Sequence, residues 1–377
     1  MAQRPAIPIT LPLDQPFRLV DWSALIPDMG RANRSLADYN GLLRHLPNAS
    51  MLLAPLTMQE AVLSSRIEGT LATMSEVLQF EAGGLPLQEA RRHDIEEILN
   101  YREALRVATT RLNERPFGLN LLLELHKVLL DGVRGQGKAR GEFRRQQNYV
   151  GSINAGRETV RFTPPEWTSL RHSLDNWEKF YHSDTPDPIV QLAIIHAQFE
   201  YLHPFLDGNG RLGRILVPIF LYEKGLLQQP NFYLSEFIEG NRDEYVDLLN
   251  KLGEDNKSWT NWVRFFLLAV EDQATRNTRK ATAMLALYES LKTRFIEVTR
   301  SQYAIPLLDF IFSTPVFEPN QVEWQVNTPS KPTLTSMLQA LHEAEVLTMV
   351  RQGLGRQSYI WSLRPLIELA ENRFTGD

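Results

Sequence analysis

Apolar residues recur at helical spacing over most of the first 300 positions of this 377-residue chain. The periodicity, interrupted by turns rich in glycine and proline, predicts a mainly α-helical fold. One segment departs from it. In residues 147–165, Tyr149, Val150, Val160 and Phe162 flank a centre rich in Gly, Asn and Ser, which is the pattern of a β-hairpin. We therefore expect a helical body that carries a hairpin near its middle.

The chain is longer than a single core usually grows, so we expect two or three domains. The predicted parts are an N-terminal helical region over residues 1–110, a core region over 111–273 and a C-terminal module over 274–377. In the last part, an amphipathic helix over Thr333–Glu345 precedes an alternating segment with a glycine-containing turn. That order of elements is typical of a winged helix.

Composition excludes several classes of chemistry. The chain has no cysteine, which rules out disulfides, thiolate metal sites and a cysteine nucleophile. The N-terminal segment has no pattern of a secretory signal, and no apolar run reaches the length of a membrane span, so we expect a cytoplasmic protein without a membrane partner. The net charge of −5 gives no general reason to expect nucleic-acid binding.

A conjunction of polar residues lies between two apolar helices. Asp187 and Pro188 are expected to open the first helix as N-cap and first residue, and Pro204 should end it by keeping His203 out of the helical region. The second helix should stop near Gly225. His203 is thus predicted on a loop, where an imidazole can take a proton from an attacking hydroxyl.

The start of the second helix has the features of a phosphate site. Its unpaired N–H groups and dipole attract anions, and glycines at 208 and 210 let a phosphate approach the backbone. Arg211 and Arg214 lie three residues apart, so both guanidinium groups can reach the same anion. Asp207 precedes the turn, where a carboxylate can bind Mg²⁺ that also bridges phosphate oxygens. The chain has no Walker lysine here, which excludes a P-loop.

Residues 203–214 have the sequence HPFLDGNGRLGR, which is identical to the Fic motif HPFx(D/E)GNGRxxR. The chain therefore resembles the Fic family. The resemblance implies a Fic-type helical core with a hairpin flap, a C-terminal winged helix, and transfer of AMP from Mg-ATP to a protein hydroxyl. Its implied site residues are the base His203, the Mg²⁺ ligand Asp207, an α-phosphate cradle of Gly208, Asn209 and Gly210, and the β- and γ-phosphate ligands Arg211 and Arg214.

Two further segments are similar to parts of Fic proteins. The hairpin over 147–165 resembles the flap, which binds an extended segment of the target protein through backbone hydrogen bonds. Self-modification is a further expectation. Residues 233–242 and Tyr245 resemble the segment that lines the adenine pocket, where Asn241 and Tyr245 are the candidate contacts. A packing role for Tyr245 is the alternative.

A predicted inhibitory helix lies far upstream. Thr57 to Glu60 has the pattern of a capping box, so the helix is expected to run over 57–68 and to end at Gly69. Ser64 and Glu68 then share one face. The segment SSRIEG over 64–69 resembles the Fic inhibitory motif (S/T)xxxE(G/N), which implies that Glu68 pairs with Arg214 in place of the γ-phosphate. ATP would then bind in an unproductive pose.

Other functions are compatible with the same sequence features. Within the enzyme class, the alternatives are transfer of UMP or phosphocholine and removal of AMP already attached. Outside it, the winged helix could make the chain a DNA-binding regulator, although residues 275–377 hold 11 Lys and Arg against 10 Asp and Glu. The module could equally dock a target protein or a second subunit in a homodimer. The candidate DNA contacts are Lys331, Thr333, Thr335, Ser336, Arg351 and Arg356.

Overall fold

The computed structural model describes residues 4–13, 18–84, 88–132, 137–154, 157–255, 257–322, 329–353 and 358–373. Most of these residues are helical, and the strands form small antiparallel sheets, which confirms the mainly α prediction. Among the described helices, none is both long and apolar enough to cross a membrane.

The helices are α1 (Trp22–His45), α2 (Ala49–Leu52), α3 (Ala54–Ile67), α4 (Met74–Glu81), α5 (Glu89–Leu112), α6 (Leu119–Leu129), α7 (Trp167–His182), α8 (Pro188–Leu202), α9 (Asn209–Glu223), α10 (Ser235–Gly240), α11 (Arg242–Asn250), α12 (Ser258–Thr299), α13 (Ala304–Ser313), α14 (Lys331–Glu343) and α15 (Arg364–Glu371). The strands are β1 (Val150–Asn154), β2 (Arg157–Phe162), β3 (Val316–Phe317), β4 (Thr348–Arg351) and β5 (Ile360–Ser362).

The chain divides into two compact units. The first comprises Met1–Asn40, Leu63–Gly69 and Leu99–Thr275, and the second comprises Gly41–Val62, Thr70–Ile98 and Arg276–Asp377. Helix α12, which is 42 residues long, contributes to both. The three-part division expected from the sequence stays a prediction.

Helix α8 lies in the core of the first unit. Its start is capped by Asp187, whose Oδ1 accepts the N–H groups of Ile189 at 2.8 Å and Val190 at 3.0 Å, and Pro188 lies in its first turn. The predicted N-cap and first residue are therefore confirmed. Because apolar side chains point to every side of this helix, nearly all of its residues are buried.

Two tryptophans fix α8 against its neighbours. The indole N–H of Trp177 in α7 donates to the carbonyl oxygen of Ile195 at 2.9 Å, and that of Trp262 in α12 donates to Ala193 at 2.7 Å. Both side chains are fully buried, so each ring contributes apolar contact area while its polar N–H is satisfied.

The end of α8 and the start of α9 are set by a proline and a glycine. Helix α8 ends at Leu202, and His203, which precedes Pro204, takes a left-handed conformation with φ 47° and ψ 60°. Helix α9 begins directly after Gly208, whose φ of 80° suits a residue without a Cβ. Gly225, with φ 72°, follows the end of α9 as predicted.

Strands β1 and β2 pair antiparallel, which confirms the hairpin expected within 147–165. Val150 lies opposite Phe162, and the register shifts after Val150. The Phe162 ring packs against Tyr201 of α8, with 5.2 Å between ring centroids. The base of the hairpin is thus attached to the helix that precedes His203.

In the second unit, three strands form an antiparallel sheet with the order β3-β5-β4. Helix α14 begins at Lys331 rather than at Thr333, because Ser330 is the N-cap and accepts the N–H of Thr333 at 3.3 Å. The helix expected over Thr333–Glu345 is therefore shifted towards the N-terminus. The winged-helix assignment stays a prediction, and Arg356 lies outside the described residues.

The helix predicted over 57–68 is wrong at both ends. Helix α3 begins at Ala54, where Pro55 fits the first turn, and the N–H of Thr57 already donates to a main-chain carbonyl at 3.2 Å. Thr57 is therefore inside the helix and is not its N-cap. At the other end, Glu68 lies in the turn after the helix, followed by Gly69 with φ 106°.

Candidate functional site

His203 follows directly after α8, and one of its ring nitrogens is already hydrogen-bonded. Its Nδ1 lies 3.2 Å from the carbonyl oxygen of Glu200. Since a carbonyl only accepts hydrogen bonds, Nδ1 carries the proton and Nε2 keeps its lone pair. Burial lowers the pKa of His203 to about 4, against the opposing effects of the Glu200 carbonyl and the Glu68 and Asp207 carboxylates. The imidazole is consequently neutral at pH 7, with Nε2 available as a base.

The loop between His203 and α9 is closed by Asn209. Its side-chain amide donates to the carbonyl oxygen of Phe205 at 2.9 Å, and its side-chain oxygen accepts the N–H of Phe205 at 2.9 Å. This reciprocal pair shapes the turn that ends at Gly208. The contact expected between Asn209 and an α-phosphate stays a prediction.

His126 of α6 contacts the same loop through a hydrogen bond and a ring stack. The N–H of Gly141 donates to its Nδ1 at 2.9 Å, so Nε2 carries the proton and donates to the carbonyl oxygen of Asp207 at 3.1 Å. Its ring stacks on Phe205, with 3.9 Å between centroids. Burial lowers the pKa of His126 to about 4. This histidine is therefore a neutral support for the loop.

Asp207 and Arg211 lie beside each other at the start of α9. One Asp207 oxygen accepts the N–H of Gly208 at 2.6 Å and lies 3.4 Å from Nη2 of Arg211. The Asp207 side chain is 41% exposed, whereas that of Arg211 is 5% exposed. A carboxylate in this position can still bind a cation that approaches from the solvent side.

No group of three or more His, Asp or Glu side chains among the described residues could hold a metal ion. Mg²⁺ commonly binds through one or two protein carboxylates together with phosphate oxygens and water. Asp207 therefore fits such an ion as a single protein ligand when a polyphosphate supplies the other oxygens.

Arg214 is bound by Ser64 of α3 and by Glu68 in the turn that follows it. Its Nε donates to the hydroxyl of Ser64 at 2.7 Å, and its Nη2 donates to the Ser64 carbonyl at 2.9 Å and to Glu68 Oε1 at 2.6 Å. A Cβ at Gly210 would lie 2.3 Å from Glu68 Oε1. The carboxylate thus lies against the first turn of α9, where N–H groups and the helix dipole attract an anion.

The Glu68 carboxylate is ionised in this position. Burial raises its pKa, but the charge of Arg214 and the hydrogen bond to it more than offset that effect, so that the pKa lies below the usual value. The Glu68 side chain is 39% exposed and that of Arg214 only 2%. The pair expected from the sequence is present, and its inhibitory role stays a prediction.

The two candidate adenine contacts both bond within the protein. The amide of Asn241 donates to the Phe237 carbonyl at 2.9 Å. Nδ1 of His196 bonds the Gly213 carbonyl at 3.0 Å and must carry the proton, so the hydroxyl of Tyr245 donates to Nε2 at 2.9 Å. Contact of either residue with adenine stays a prediction.

Glu200 is half-buried, and its carboxylate oxygen Oε1 is buried near Tyr245. Its Oε1 has no hydrogen-bond partner among the described residues, and burial raises its pKa to about 8 despite the opposing charge of Arg214. A Cβ at Gly213 would lie only 2.1 Å from that oxygen. The absence of a side chain at Gly213 therefore leaves room for the end of the Glu200 side chain.

Sequence reasoning missed His126, His196 and Glu200. Each occupies a helix position that periodicity alone assigns to packing. The sequence signal for His196 and Glu200 was their position inside an otherwise apolar helix, with Glu200 three residues before His203. A polar side chain in a helix that is buried on all sides costs free energy unless it has a hydrogen-bond partner, so such a residue is a candidate for a structural or functional role.

Together these residues can bind an anion and accept a proton. A neutral imidazole with an unprotonated Nε2 follows α8, and α9 starts with two buried arginines and a first turn that no side chain caps. Such an arrangement suits attack of an alcohol on a phosphate whose developing charge is stabilised by fixed dipoles.

Two family models match the chain. Residues 26–110 match the Fic/DOC family N-terminal model, and residues 116–221 match the Fic/DOC family model. The protein adenylyltransferase Fic of Drosophila melanogaster is 29% identical over 164 residues, covering 42% of this chain and 31% of that protein. The same protein of Drosophila yakuba is 29% identical over 163 residues, with the same coverage. The chain thus matches about a third of the length of these relatives.

Solved structures support the fold. A Fic family protein from Desulfovibrio desulfuricans has a TM-score of 0.56 and 17% identity, covering 93% of this chain and 97% of that one. Fic-1 from C. elegans has a TM-score of 0.54 and 19% identity, covering 71% of this chain and 75% of the other.

Proposed function

The chain belongs to the Fic/DOC family, and on this premise we propose that it is a protein adenylyltransferase that transfers AMP from ATP to a hydroxyl side chain. The observation that carries the proposal is the position of His203, with an unprotonated Nε2, next to the anion-attracting first turn of α9. The curated relatives named above are protein adenylyltransferases, which supports the same activity.

In the proposed reaction, Nε2 of His203 accepts the proton of the target hydroxyl as its oxygen attacks the α-phosphorus. The bond from that phosphorus to the bridging oxygen breaks, and pyrophosphate leaves. Main-chain N–H groups at Asn209 and Gly210 stabilise the charge on the α-phosphate, and Arg211 and Arg214 bind the outer phosphates. The protein thus contributes position and fixed charge.

Asp207 would hold a magnesium ion together with the phosphate oxygens, because its carboxylate is exposed and adjoins the turn. When bound, the ion would neutralise phosphate charge. Asp207 also accepts the N–H of Gly208, so the same side chain orients the turn that receives the nucleotide.

We further propose that Glu68 restrains this activity. Its carboxylate binds Arg214 against Gly210 and so competes with the terminal phosphate for the same guanidinium. ATP would then bind with its α-phosphate misplaced. Departure of Glu68 into solvent would shift the population towards a competent site. This movement would take place in the turn formed by Glu68 and Gly69.

The hairpin β1–β2 would bind an extended segment of the target protein along a strand edge. The base of the hairpin packs on Tyr201, which lies two residues before His203 in the chain. A segment docked on the hairpin would therefore lie close to His203. Modification of the protein's own hydroxyl groups is part of the proposal. A homodimer, DNA binding by the C-terminal module and a cytoplasmic location stay predictions.

Intact-protein mass spectrometry tests the activity. Purified Glu68→Gly protein is incubated with Mg²⁺ and ATP, UTP or GTP in separate reactions, with Glu68→Gly/His203→Ala as the matched control. We expect addition of AMP in the ATP reaction and none in the control. Addition of UMP or GMP instead would replace the nucleotide in the proposal, and no addition under any nucleotide would refute nucleotidyl transfer.

A further inference from the structure

A short segment ahead of the hairpin contacts the backbone around His203. The guanidinium of Arg144 donates from Nε to the carbonyl oxygen of His203 at 3.0 Å, and from Nη2 to those of Leu202 at 3.3 Å and Pro165 at 2.6 Å. The N–H of Arg144 also donates to the carbonyl of Pro204 at 2.9 Å. One arginine thus binds consecutive carbonyls from the end of α8 into the loop.

The charge of Arg144 is buried but well accommodated. Arg144 is only 2% exposed. Its Nη1 donates the remaining guanidinium hydrogen bond, to the carbonyl oxygen of Gln146 at 3.2 Å. Burial lowers the pKa of Arg144 to about 10, so the group stays charged at neutral pH. Carbonyl oxygens at the C-terminal end of a helix carry partial negative charge, which favours a cation there.

Asn148 holds the same turn from a second direction. Its amide donates to the carbonyl oxygens of His203 at 3.1 Å and Phe205 at 2.8 Å. His203 has a left-handed backbone, which a residue other than glycine adopts at a cost and keeps only where its surroundings hold it. Arg144 and Asn148 supply that restraint at the His203 carbonyl itself.

We infer that Arg144 is a positioning residue, which together with Asn148 fixes the left-handed turn at His203 and so the orientation of its imidazole. The inference rests on the proposed function, in which that imidazole is the base. Asn148 lies two residues before β1. The segment that orients the base therefore continues directly into the hairpin proposed to bind the target.

Kinetics in the Glu68→Gly background test this role. Arg144→Met should lower kcat by about 100-fold, the scale of a misplaced reacting group, while KM for ATP changes by less than about threefold. Arg144→Lys should recover part of the loss, since an ammonium can still donate to some of these carbonyls. Arg145→Met is the matched control, because that neighbouring side chain is 82% exposed, and it should change neither constant.

Three outcomes would overturn the inference: an unchanged kcat in Arg144→Met, no recovery in Arg144→Lys, or a rise in KM that matches the fall in kcat. If Arg144→Met does not fold, Asn148→Ala decides, because it removes only one half-buried amide. We expect it to lower kcat by about tenfold, and an unchanged kcat would exclude the role.

A spectroscopic measurement separates this inference from the proposed function. With ¹⁵N-labelled histidine, the ring nitrogens of His203 should report a single tautomer, protonated at Nδ1, in the wild-type chain and in Arg145→Met. Arg144→Met should show averaged tautomers. A single tautomer in Arg144→Met would overturn the positioning role. Because this measurement needs no AMP transfer, it decides the role even if Glu68→Gly proves inactive.

Discussion

The Oε1 atom of Glu68 lies 2.6 Å from Nη2 of Arg214, a residue 146 positions later in the chain. The two partners differ in exposure, with the arginine side chain at 2% and the glutamate side chain at 39%. Arg214 is therefore fixed in the interior, whereas Glu68 keeps partial access to water. Of the two, the carboxylate can leave the contact at lower cost, since its hydration is only partly lost.

Ser64 is expected to contribute less to the restraint than Glu68. Ser64→Ala removes the acceptor of Arg214 Nε and leaves a buried donor unpaired, at a cost of about 1–3 kcal/mol in the free energy of unfolding. AMP transfer should rise, but less than in Glu68→Gly, because the ion pair remains. Thermal unfolding and initial rates check this, with exposed Ser290→Ala as control. A melting temperature equal to that of the wild type would count against it.

Mild acid should not release the restraint. The pKa of Glu68 in the folded protein lies below its ordinary value, so the stabilisation is fully present above the ordinary pKa and is lost only as the pH falls through the lower folded value. The ratio of the Glu68→Gly rate to the wild-type rate should therefore stay constant between about pH 5.5 and 7, above the ordinary glutamate pKa of about 4.3. A ratio that falls steadily over this range would show that Glu68 titrates there.

The motif around His203 could be predicted because its determinants are local. Asp187 and Pro188 cap α8, Pro204 ends it, and Gly208 permits the turn before α9, all through effects that act within a few residues. The start of α3 could not be placed in the same way. The pattern at Thr57 is a valid capping sequence, but Pro55 and the preceding turn already begin the helix.

The residues that hold the loop between His203 and α9 in place could not be predicted from the sequence, because they act through contacts between distant parts of the chain. Arg144 bonds the carbonyl of His203 across 59 positions, and His126 bonds that of Asp207 across 81. Neither periodicity nor capping rules encode such pairs, which arise only when α6, α8 and the segment before the hairpin pack together. Glu200 against Gly213 is a similar case, because their proximity follows from the packing of α8 on α9.

The contact between Glu200 and Gly213 should appear as energetic coupling. Gly213→Ala places a Cβ 2.1 Å from Glu200 Oε1, and such overpacking typically costs about 1–3 kcal/mol in the free energy of unfolding. Glu200→Ala removes the obstructing atoms, so the double variant should be more stable than the sum of the single effects implies. Urea unfolding of the four proteins measures this. Additive effects would mean that the two positions do not compete for space.

The most direct measurement is the initial rate of AMP incorporation by the wild-type chain and by Glu68→Gly, at saturating Mg-ATP. Glu114→Gly is the control, since it removes an exposed glutamate that pairs with Arg111 in a turn. We expect Glu68→Gly to exceed the wild type by at least about tenfold, equivalent to a shift of about 1.4 kcal/mol towards the competent population, and Glu114→Gly to match the wild type. Equal rates in all three proteins would contradict restraint by the Glu68–Arg214 pair.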